Sequence, residues 1–318
     1  FKQKTAYEIM PSLVGSEMCI RDRPIIDQFA AASGIEVEVK YGKTAEMAAV
    51  LMEEGNNSPA DVFWAQDPGG LGAVAEADMF ADLPADTLAN VDSKFRSKND
   101  NWVGVSGRAR VIVYNTATID PEKDLPSDLW GFVEPEWKGR LGWAPTNGSF
   151  QAMVTALRST WGEEKTKEWL EGIMANNVGV YPKNTPQVAA AAAGEIDVGF
   201  VNHYYLHRFI AAEGENFAAR NFFLPDGGPG SLVMVAGVGT LNSAENVENA
   251  QKFIDFLLSP VAQQYFAGQT YEYPLVEGVK IHRELKPIEE LNAVDIDLTD
   301  LSDLQGTVKL LTEVGALE

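Results

Sequence analysis

The chain has 318 residues, 45% of them hydrophobic, with 46 acidic against 25 basic side chains and a formal charge of -21. This composition is typical of a globular protein large enough for two domains. The acidic balance disfavours nucleic acid and anionic membranes as partners and attracts cations, although an acidic surface that serves only solubility would give the same numbers. No apolar run reaches the roughly 20 residues that cross a bilayer. The single cysteine, Cys19, excludes an intrachain disulfide and a cysteine-based metal site.

Residues 1–23 do not match the rest of the chain. They have neither the charged, apolar and small-residue zones of a signal peptide nor the alternation of a strand. The segment resembles the translated adaptor sequence that contaminates assembled metagenomes, and we interpret it as foreign. On this interpretation the natural amino terminus, any export signal and the first strand with its loop are missing.

Hydrophobic periodicity and turn residues predict an alternation of helices and strands from Pro24 onward. In chain order the prediction is helix 24–33, strand 35–41, helix 45–54, strand 60–65, strand 101–115, strand 139–144, helix 150–157, strand 178–181, helix 186–193, strand 196–201, strand 233–241, helices 244–258 and 261–266, and helix 304–314. Thr44, Thr185 and Ser243 are expected to cap helices. The alternation predicts an α/β fold.

Polar side chains follow four of these strands within three residues of the strand's end. The four sets are Gln66 after strand 60–65, Asn147-Gly148-Ser149 after strand 139–144, Lys183-Asn184-Thr185 after strand 178–181, and Asn202-His203-Tyr204-Tyr205 after strand 196–201. Open α/β sheets bind ligands outside the carboxyl ends of their strands, and helix amino termini there hold anions. Helix capping or aromatic packing would explain any one loop, but the repetition predicts a ligand site.

Two arginines, Arg108 and Arg110, share one face of strand 101–115 because strand side chains repeat every second residue. A basic pair so close to the apolar residues 111–113 is costly unless it meets an acid or an anion. A structural salt bridge and a bound anion both remain open.

Several motifs together resemble one family. They are SPADVFWAQD, WVGVSGRARVIVYNT, WKGRLGWAPTNGSFQ, YPKNTP, GEIDVGFVNHYY, FIDFLLSPVAQQYF and YEYPLV, in this order. From Pro24 to its end the chain is similar to the periplasmic ferric-ion-binding proteins of bacterial ABC importers, in the transferrin-like cluster of solute-binding proteins. The resemblance implies a type II-like periplasmic-binding-protein fold of two mixed α/β lobes joined by a hinge. Residues 24–107 and 236–283 would form the first lobe, and 108–235 and 284–318 the second.

The resemblance also implies a ligand set. Tyr204 and Tyr205 would bind Fe(III) as phenolates. Phosphate or carbonate would be held as a synergistic anion by Asn147, Gly148, Ser149, Asn184 and Asn202, with an arginine of the Arg108/Arg110 pair, of which we name Arg108, behind it. Where many relatives carry a glutamate ligand the chain has the neutral donor Gln66, and where some carry a further tyrosine it has Asn147. An exogenous anion or water is then expected to complete the coordination.

The function implied is capture of Fe(III) in an interlobe cleft and delivery to the permease of an ABC importer at the inner membrane. We expect a periplasmic monomer without catalytic activity. One alternative is the same fold binding phosphate or a phosphonate without iron. Another is an enzyme acting on a phosphorylated or carboxylated substrate, with His203 as a base. The chain has no P-loop, no Gly-x-Ser-x-Gly elbow and no cysteine beyond residue 23, which disfavours the enzyme.

Overall fold

Residues 6–12 and 16–317 are described by the computed structural model, with side chains from Asp22 onward. The strands are β1 (Ala6–Ser12), β2 (Glu36–Val39), β3 (Ala60–Ala65), β4 (Val103–Asn115), β5 (Leu141–Trp143), β6 (Gly179–Val180), β7 (Val198–Asn202), β8 (Ala219–Phe222) and β9 (Val233–Thr240). The helices are α1 (Ser16–Ser33), α2 (Thr44–Glu54), α3 (Pro68–Glu76), α4 (Ala85–Leu88), α5 (Gly148–Trp161), α6 (Glu163–Ala175), α7 (Asn184–Ala193), α8 (Tyr204–Glu213), α9 (Val247–Leu257), α10 (Pro260–Gln269) and α11 (Leu304–Glu313). Strands and helices alternate as the sequence predicts, which confirms the α/β class.

The described residues form two compact units. The first contains the described residues up to Gly107, Met234–His282 and Asp297–Ser302, and the second contains Arg108–Val233, Arg283–Ile296 and the described residues from Asp303 on. The predicted division differs from this one by one or two residues, at 234–235 and 283, and by a whole segment at residues 297–302, which belong to the first unit. Lys98 explains the difference at 297–302, because its ammonium lies 3.0 Å from Asp297 and 3.7 Å from Asp300.

The sheet of the first unit is built around β3. In this sheet β1 pairs in parallel with β2 and β3, and β3 pairs antiparallel with β9. All six residues of β3 are buried, as expected for a central strand covered on both faces.

The amino-terminal elements differ from the prediction. Residues 1–23 were expected to hold no strand, which is wrong, because Ala6–Ser12 forms β1. This strand pairs with the backbones of both β2 and β3, whose N–H and C=O groups need partners. The first helix begins at Ser16, so Pro24 lies inside it. The foreign origin of residues 1–23 remains a prediction, and the side chain of Cys19 is outside the described part.

In the second unit, β4 pairs antiparallel with β7 and β8, and β5 pairs in parallel with β6 and β7. Hydrophobic side chains cover both faces of this sheet. On β4, Ile112 and Tyr114 belong to one buried cluster, and Val111 and Val113 belong to another. This follows from the twofold alternation of a strand. The first cluster combines aliphatic and aromatic side chains, and its large aromatic members include Phe132, Trp137, Trp143, Phe150, Trp169 and Phe200.

Helix ends were predicted less well than helices. The residue before α2 is Lys43, the residue before α9 is Asn246, and α7 begins at Asn184. The predicted caps Thr44, Thr185 and Ser243 are therefore wrong by one to three residues, the ordinary uncertainty of helix boundaries. No helix in the described part of the chain is both long and apolar enough to cross a membrane.

The side chain of Gln263 is predicted to stabilise the fold of the first unit. Its buried amide donates to the carbonyls of Val105 (2.7 Å) and Leu257 (2.9 Å) and accepts from the N–H of Leu275 (2.8 Å). Gln263→Met leaves three backbone groups without partners, so the free energy of unfolding should fall by about 3 kcal/mol or more. Urea denaturation measures this loss. The exposed neighbour Gln264 supplies the control, and an equal effect of Gln264→Met would contradict the assignment.

Candidate functional site

Three helices of the second unit begin at one edge of its sheet. Because β5, β6 and β7 are connected by parallel pairing, their carboxyl ends lie at the same edge. Asn147 precedes α5, Asn184 begins α7 and Tyr204 begins α8. The polar side chains that the sequence places after these strands are therefore gathered at this edge.

Arg110 joins this edge through strand register. On the antiparallel pair β4–β7, Arg110 lies directly opposite Asn202. Directly opposed residues have side chains within reach of each other. The Nη1 of Arg110 donates to the Oδ1 of Asn202 at 3.0 Å.

The polar cluster comprises Arg110, Asn147, Ser149, Asn184 and Asn202. Arg110 Nη1 also donates to Ser149 Oγ at 3.3 Å, and Ser149 Oγ donates to Asn147 Oδ1 at 2.5 Å. Asn184 Nδ2 donates to Asn147 Oδ1 at 3.4 Å and to Ser149 Oγ at 3.3 Å. Asn147 also caps α5 by accepting from the N–H of Ser149 at 3.1 Å. One oxygen, Asn147 Oδ1, therefore both caps α5 and accepts hydrogen bonds from two side chains of the polar cluster.

The polar cluster has unused hydrogen-bonding capacity and an unbalanced charge. Arg110 is 1% exposed, yet among the residues that the structure describes its Nε and Nη2 find no acceptor, and the buried Oδ1 of Asn184 finds no donor. No acidic side chain in the described part of the chain pairs with Arg110, so Arg110 does not form the salt bridge that the sequence left open for the arginine pair. Burial lowers the pKa of Arg110 to about 9, and negative charge on Tyr204 and Tyr205 would raise it. The guanidinium is thus cationic at neutral pH and lacks a counter-ion in the second unit.

Tyr204 and Tyr205 form a ring pair beside this cluster. Their centroids are 4.3 Å apart and their planes meet at 30°. Tyr204 is 1% exposed, whereas Tyr205 is half-buried. The guanidinium of Arg108 lies over the Tyr204 ring at 5.8 Å, and that of Arg208 lies over the Tyr205 ring at 5.9 Å. Two cationic groups therefore lie over the ring faces of the pair.

The structure gathers most of the residues expected from the sequence. Four of the predicted anion ligands, Asn147, Ser149, Asn184 and Asn202, share the polar cluster, and Gly148 is the first residue of α5 between two of them. Of the arginine pair, Arg110 makes the cluster contacts described above, and Arg108 lies over Tyr204. The anion role of Arg108 remains a prediction. Gln66 follows β3 in the first unit, and its role as a metal ligand also remains a prediction.

Sequence reasoning did not single out Arg110. Strand periodicity places both arginines on one face, but only the β4–β7 register selects the one opposite Asn202. Within the described residues, no group of three or more His, Cys, Asp or Glu side chains is placed to hold a metal ion.

Known proteins are similar to this chain over nearly its whole length. Residues 57–298 match the family described as bacterial extracellular solute-binding protein. The major ferric iron-binding protein of Neisseria meningitidis serogroup B is 35% identical over 295 residues, 92% of this chain and 88% of that protein. Iron-bound HitA from Pseudomonas aeruginosa has a TM-score of 0.91 at 32% identity, covering 98% of this chain and 99% of that one. The Trichodesmium protein IdiA (FutA), in complex with iron and citrate, has a TM-score of 0.83 at 30% identity, with coverage of 98% and 99%.

Two expectations are confirmed by these similarities. One is the type II-like periplasmic-binding-protein fold, and the other is the resemblance to ferric-ion-binding proteins.

The unpaired charge of Arg110 predicts an unusual stability effect. In a buffer free of phosphate, Arg110→Met should raise the free energy of unfolding of the ligand-free protein by about 2 kcal/mol, because an uncompensated buried cation is removed. Since burial lowers the pKa of Arg110, its cost to the fold is full at neutral pH and declines as the pH rises above about 9. Urea denaturation at pH 7 is the measurement.

Arg140 provides the matched control for Arg110. Its guanidinium is paired with Asp197 at 2.6 Å, so Arg140→Met should leave the stability unchanged or lower it. The opposite result is that Arg110→Met lowers the free energy of unfolding, as loss of a satisfied buried hydrogen bond does. That result would contradict the interpretation that the buried charge of Arg110 is uncompensated.

Proposed function

The chain belongs to the bacterial extracellular solute-binding proteins, and from this premise we propose that it captures ferric iron for an ABC importer. The family consists of solute-binding proteins and not of enzymes. One observation carries the proposal: two adjacent phenols begin α8 beside a buried guanidinium that has no counter-ion in its unit. The iron-binding relatives support the same function.

Tyr204 and Tyr205 would bind the metal as phenolates. Fe(III) is a hard cation that favours anionic oxygen, and a bound cation can remove the proton of a phenol whose free pKa is about 10. Arg108 lies over the Tyr204 ring and Arg208 over the Tyr205 ring, so cationic groups stand beside the proposed ligands. Because the ligands must lose protons to bind, acid should promote release of the iron.

The polar cluster would hold a small oxyanion next to the metal. Two phenolates leave one positive charge on Fe(III), and Arg110 adds a second, so an anion balances the site. Arg110 Nε and Nη2 are free to donate, and α5 and α7 direct their amino termini to the same edge. Phosphate, carbonate and a carboxylate such as citrate share this chemistry.

The remaining parts of the proposal concern the first unit and the partner. We propose Gln66 as a further oxygen ligand, with water or the anion completing the coordination. Solute-binding proteins of ABC importers work with membrane permeases, and we propose that this chain does so as a periplasmic monomer. Bound iron can shift its conformational equilibrium only by binding one conformation more tightly than the other.

A second candidate function is capture of an anion without iron. The observation that favours it is the polar cluster itself, which has donors for an oxyanion without any contribution from the tyrosines. Ferric iron would then have no effect on anion affinity.

Ferric binding through phenolates predicts a visible absorption band. Titration of the protein with ferric nitrilotriacetate should produce a phenolate-to-iron charge-transfer band. In the Tyr204→Phe plus Tyr205→Phe double variant the band should vanish. Loss of a residue that only hydrogen-bonds to a metal ligand lowers metal affinity by up to roughly 100-fold, and loss of the two ligands themselves should lower it further.

Tyr114 supplies the matched control for the tyrosine pair. It lies opposite Val198, at the far end of β7 from Asn202, and burial raises its pKa, which disfavours the phenolate. Tyr114→Phe should keep the band. An unchanged band in the double variant would contradict iron capture by Tyr204 and Tyr205.

Coupling between iron and anion separates the two candidate functions. If both ligands share one site, phosphate and ferric iron raise each other's affinity by the same factor. Phosphate at 100 times its Kd should stabilise the protein by about 2.7 kcal/mol, and Arg110→Met should abolish this gain while Arg140→Met keeps it. Thermal unfolding with and without iron measures the effect. Phosphate binding that ignores both iron and the double tyrosine substitution would favour the anion carrier.

A further inference from the structure

His203 lies between the last strand residue, Asn202, and the first helical residue, Tyr204. Its side chain is 0% exposed, and its ring stands perpendicular to that of Tyr204 with centroids 5.7 Å apart. A buried imidazole at this junction is in a position to determine where β7 ends and α8 begins.

The backbone ladder between β4 and β7 is altered at His203. Since Arg110 lies opposite Asn202, the next opposed pair is Ala109 and His203. The N–H of His203 donates to the carbonyl of Ala109 at 3.0 Å, which makes this a hydrogen-bonded pair. In a regular antiparallel ladder the N–H of Ala109 would donate back to the carbonyl of His203. It donates instead to the Nδ1 of the His203 imidazole, at 3.0 Å.

The imidazole therefore replaces a backbone carbonyl at the end of the sheet. The carbonyl of His203 is released from the ladder and accepts from Nδ2 of Asn221 at 2.8 Å. His203 itself has a φ of -58° and a ψ of -39°, which are helical values. The strand can thus end at Asn202 and α8 can begin at Tyr204 without leaving the N–H of Ala109 unsatisfied.

We propose that His203 is a positioning residue for the tyrosine pair. Its Nδ1 fixes the point at which the chain turns from β7 into α8, and this holds Tyr204 and Tyr205 two and three residues beyond Asn202, the partner of Arg110. This role rests on the proposed capture of iron by the two phenols. Because Nδ1 accepts from a backbone N–H, the neutral ring carries its proton on Nε2, and Nδ1 does not serve as a base or a metal ligand.

Two amide variants separate this role from simple packing. His203→Asn places an amide oxygen near the position of Nδ1, so the bond from Ala109 should persist, and iron affinity and the charge-transfer band should stay close to wild type. His203→Gln places its oxygen near the position of Nε2 and should lose the bond. For His203→Gln we expect a shifted, weaker band and iron affinity lower by about 10- to 100-fold, the usual effect of losing a group that orients a ligand.

His207, the next histidine along α8, supplies the matched control. It is partly exposed, and His207→Gln should bind iron with the wild-type band. Rescue by His203→Asn is the decisive comparison, because a role in filling space alone would not distinguish the two amides by the position of their oxygen.

A second readout requires no iron. In the ¹⁵N-labelled, ligand-free protein, an N–H···N bond from Ala109 to His203 Nδ1 should give a scalar coupling between the two nitrogens by NMR. Absence of this coupling in the folded wild type would overturn the proposal. If the wild type shows the nitrogen–nitrogen coupling but no charge-transfer band with ferric iron, the proposed capture of iron is overturned. The role of His203 in positioning iron ligands is then overturned as well. A band that is unchanged in His203→Gln would overturn the positioning role alone.

Discussion

Arg110, a buried guanidinium that pairs with no acidic side chain among the described residues, is the constraint on which the rest of the site depends. Arg110 is almost fully enclosed, keeps its charge at neutral pH, and uses one nitrogen for Asn202 and Ser149 while two others stay unsatisfied. Such an arrangement costs stability in the ligand-free protein. An anion bound there, as proposed above, would offset this cost by supplying acceptors to the unsatisfied nitrogens.

The parallel strands of the second unit explain how so few residues make a site. Each strand that ends at the common edge is followed by a helix, so helix amino termini and polar caps converge without any long loop. Asn147 serves both purposes, since one oxygen caps α5 and accepts from two other side chains of the polar cluster. The antiparallel strand β4 completes the edge by bringing Arg110 from a distant part of the sequence. The strand pairing that forms the sheet therefore also brings the residues of the site together.

The tyrosine pair depends on this edge for its environment. Adjacent phenols are ordinary packing residues in most proteins, and Tyr205 does pack against the apolar cluster that includes Val201 and Leu206. Here guanidinium groups lie over both rings, with Arg110 close enough to feel their charge, so the pair does not sit in a purely apolar environment. The hydrogen bond from the N–H of Ala109 to Nδ1 of His203 lies where β7 ends, directly before the tyrosine pair that begins α8.

Local pattern was enough to predict the α/β class, most helices and strands, and the residues at the strand ends, because periodicity, glycine stops and polar caps are properties of neighbouring residues. Gly194 ending α7 in the left-handed region is one example. Helix starts were less accurate, and β1 was missed because its place between β2 and β3 is set by long-range pairing. The choice of Arg110 over Arg108 as the partner of Asn202 and the carbonyl-like use of His203 were decided only by tertiary structure. Both depend on the register between β4 and β7, and register is fixed by packing across the whole sheet and not by any one segment.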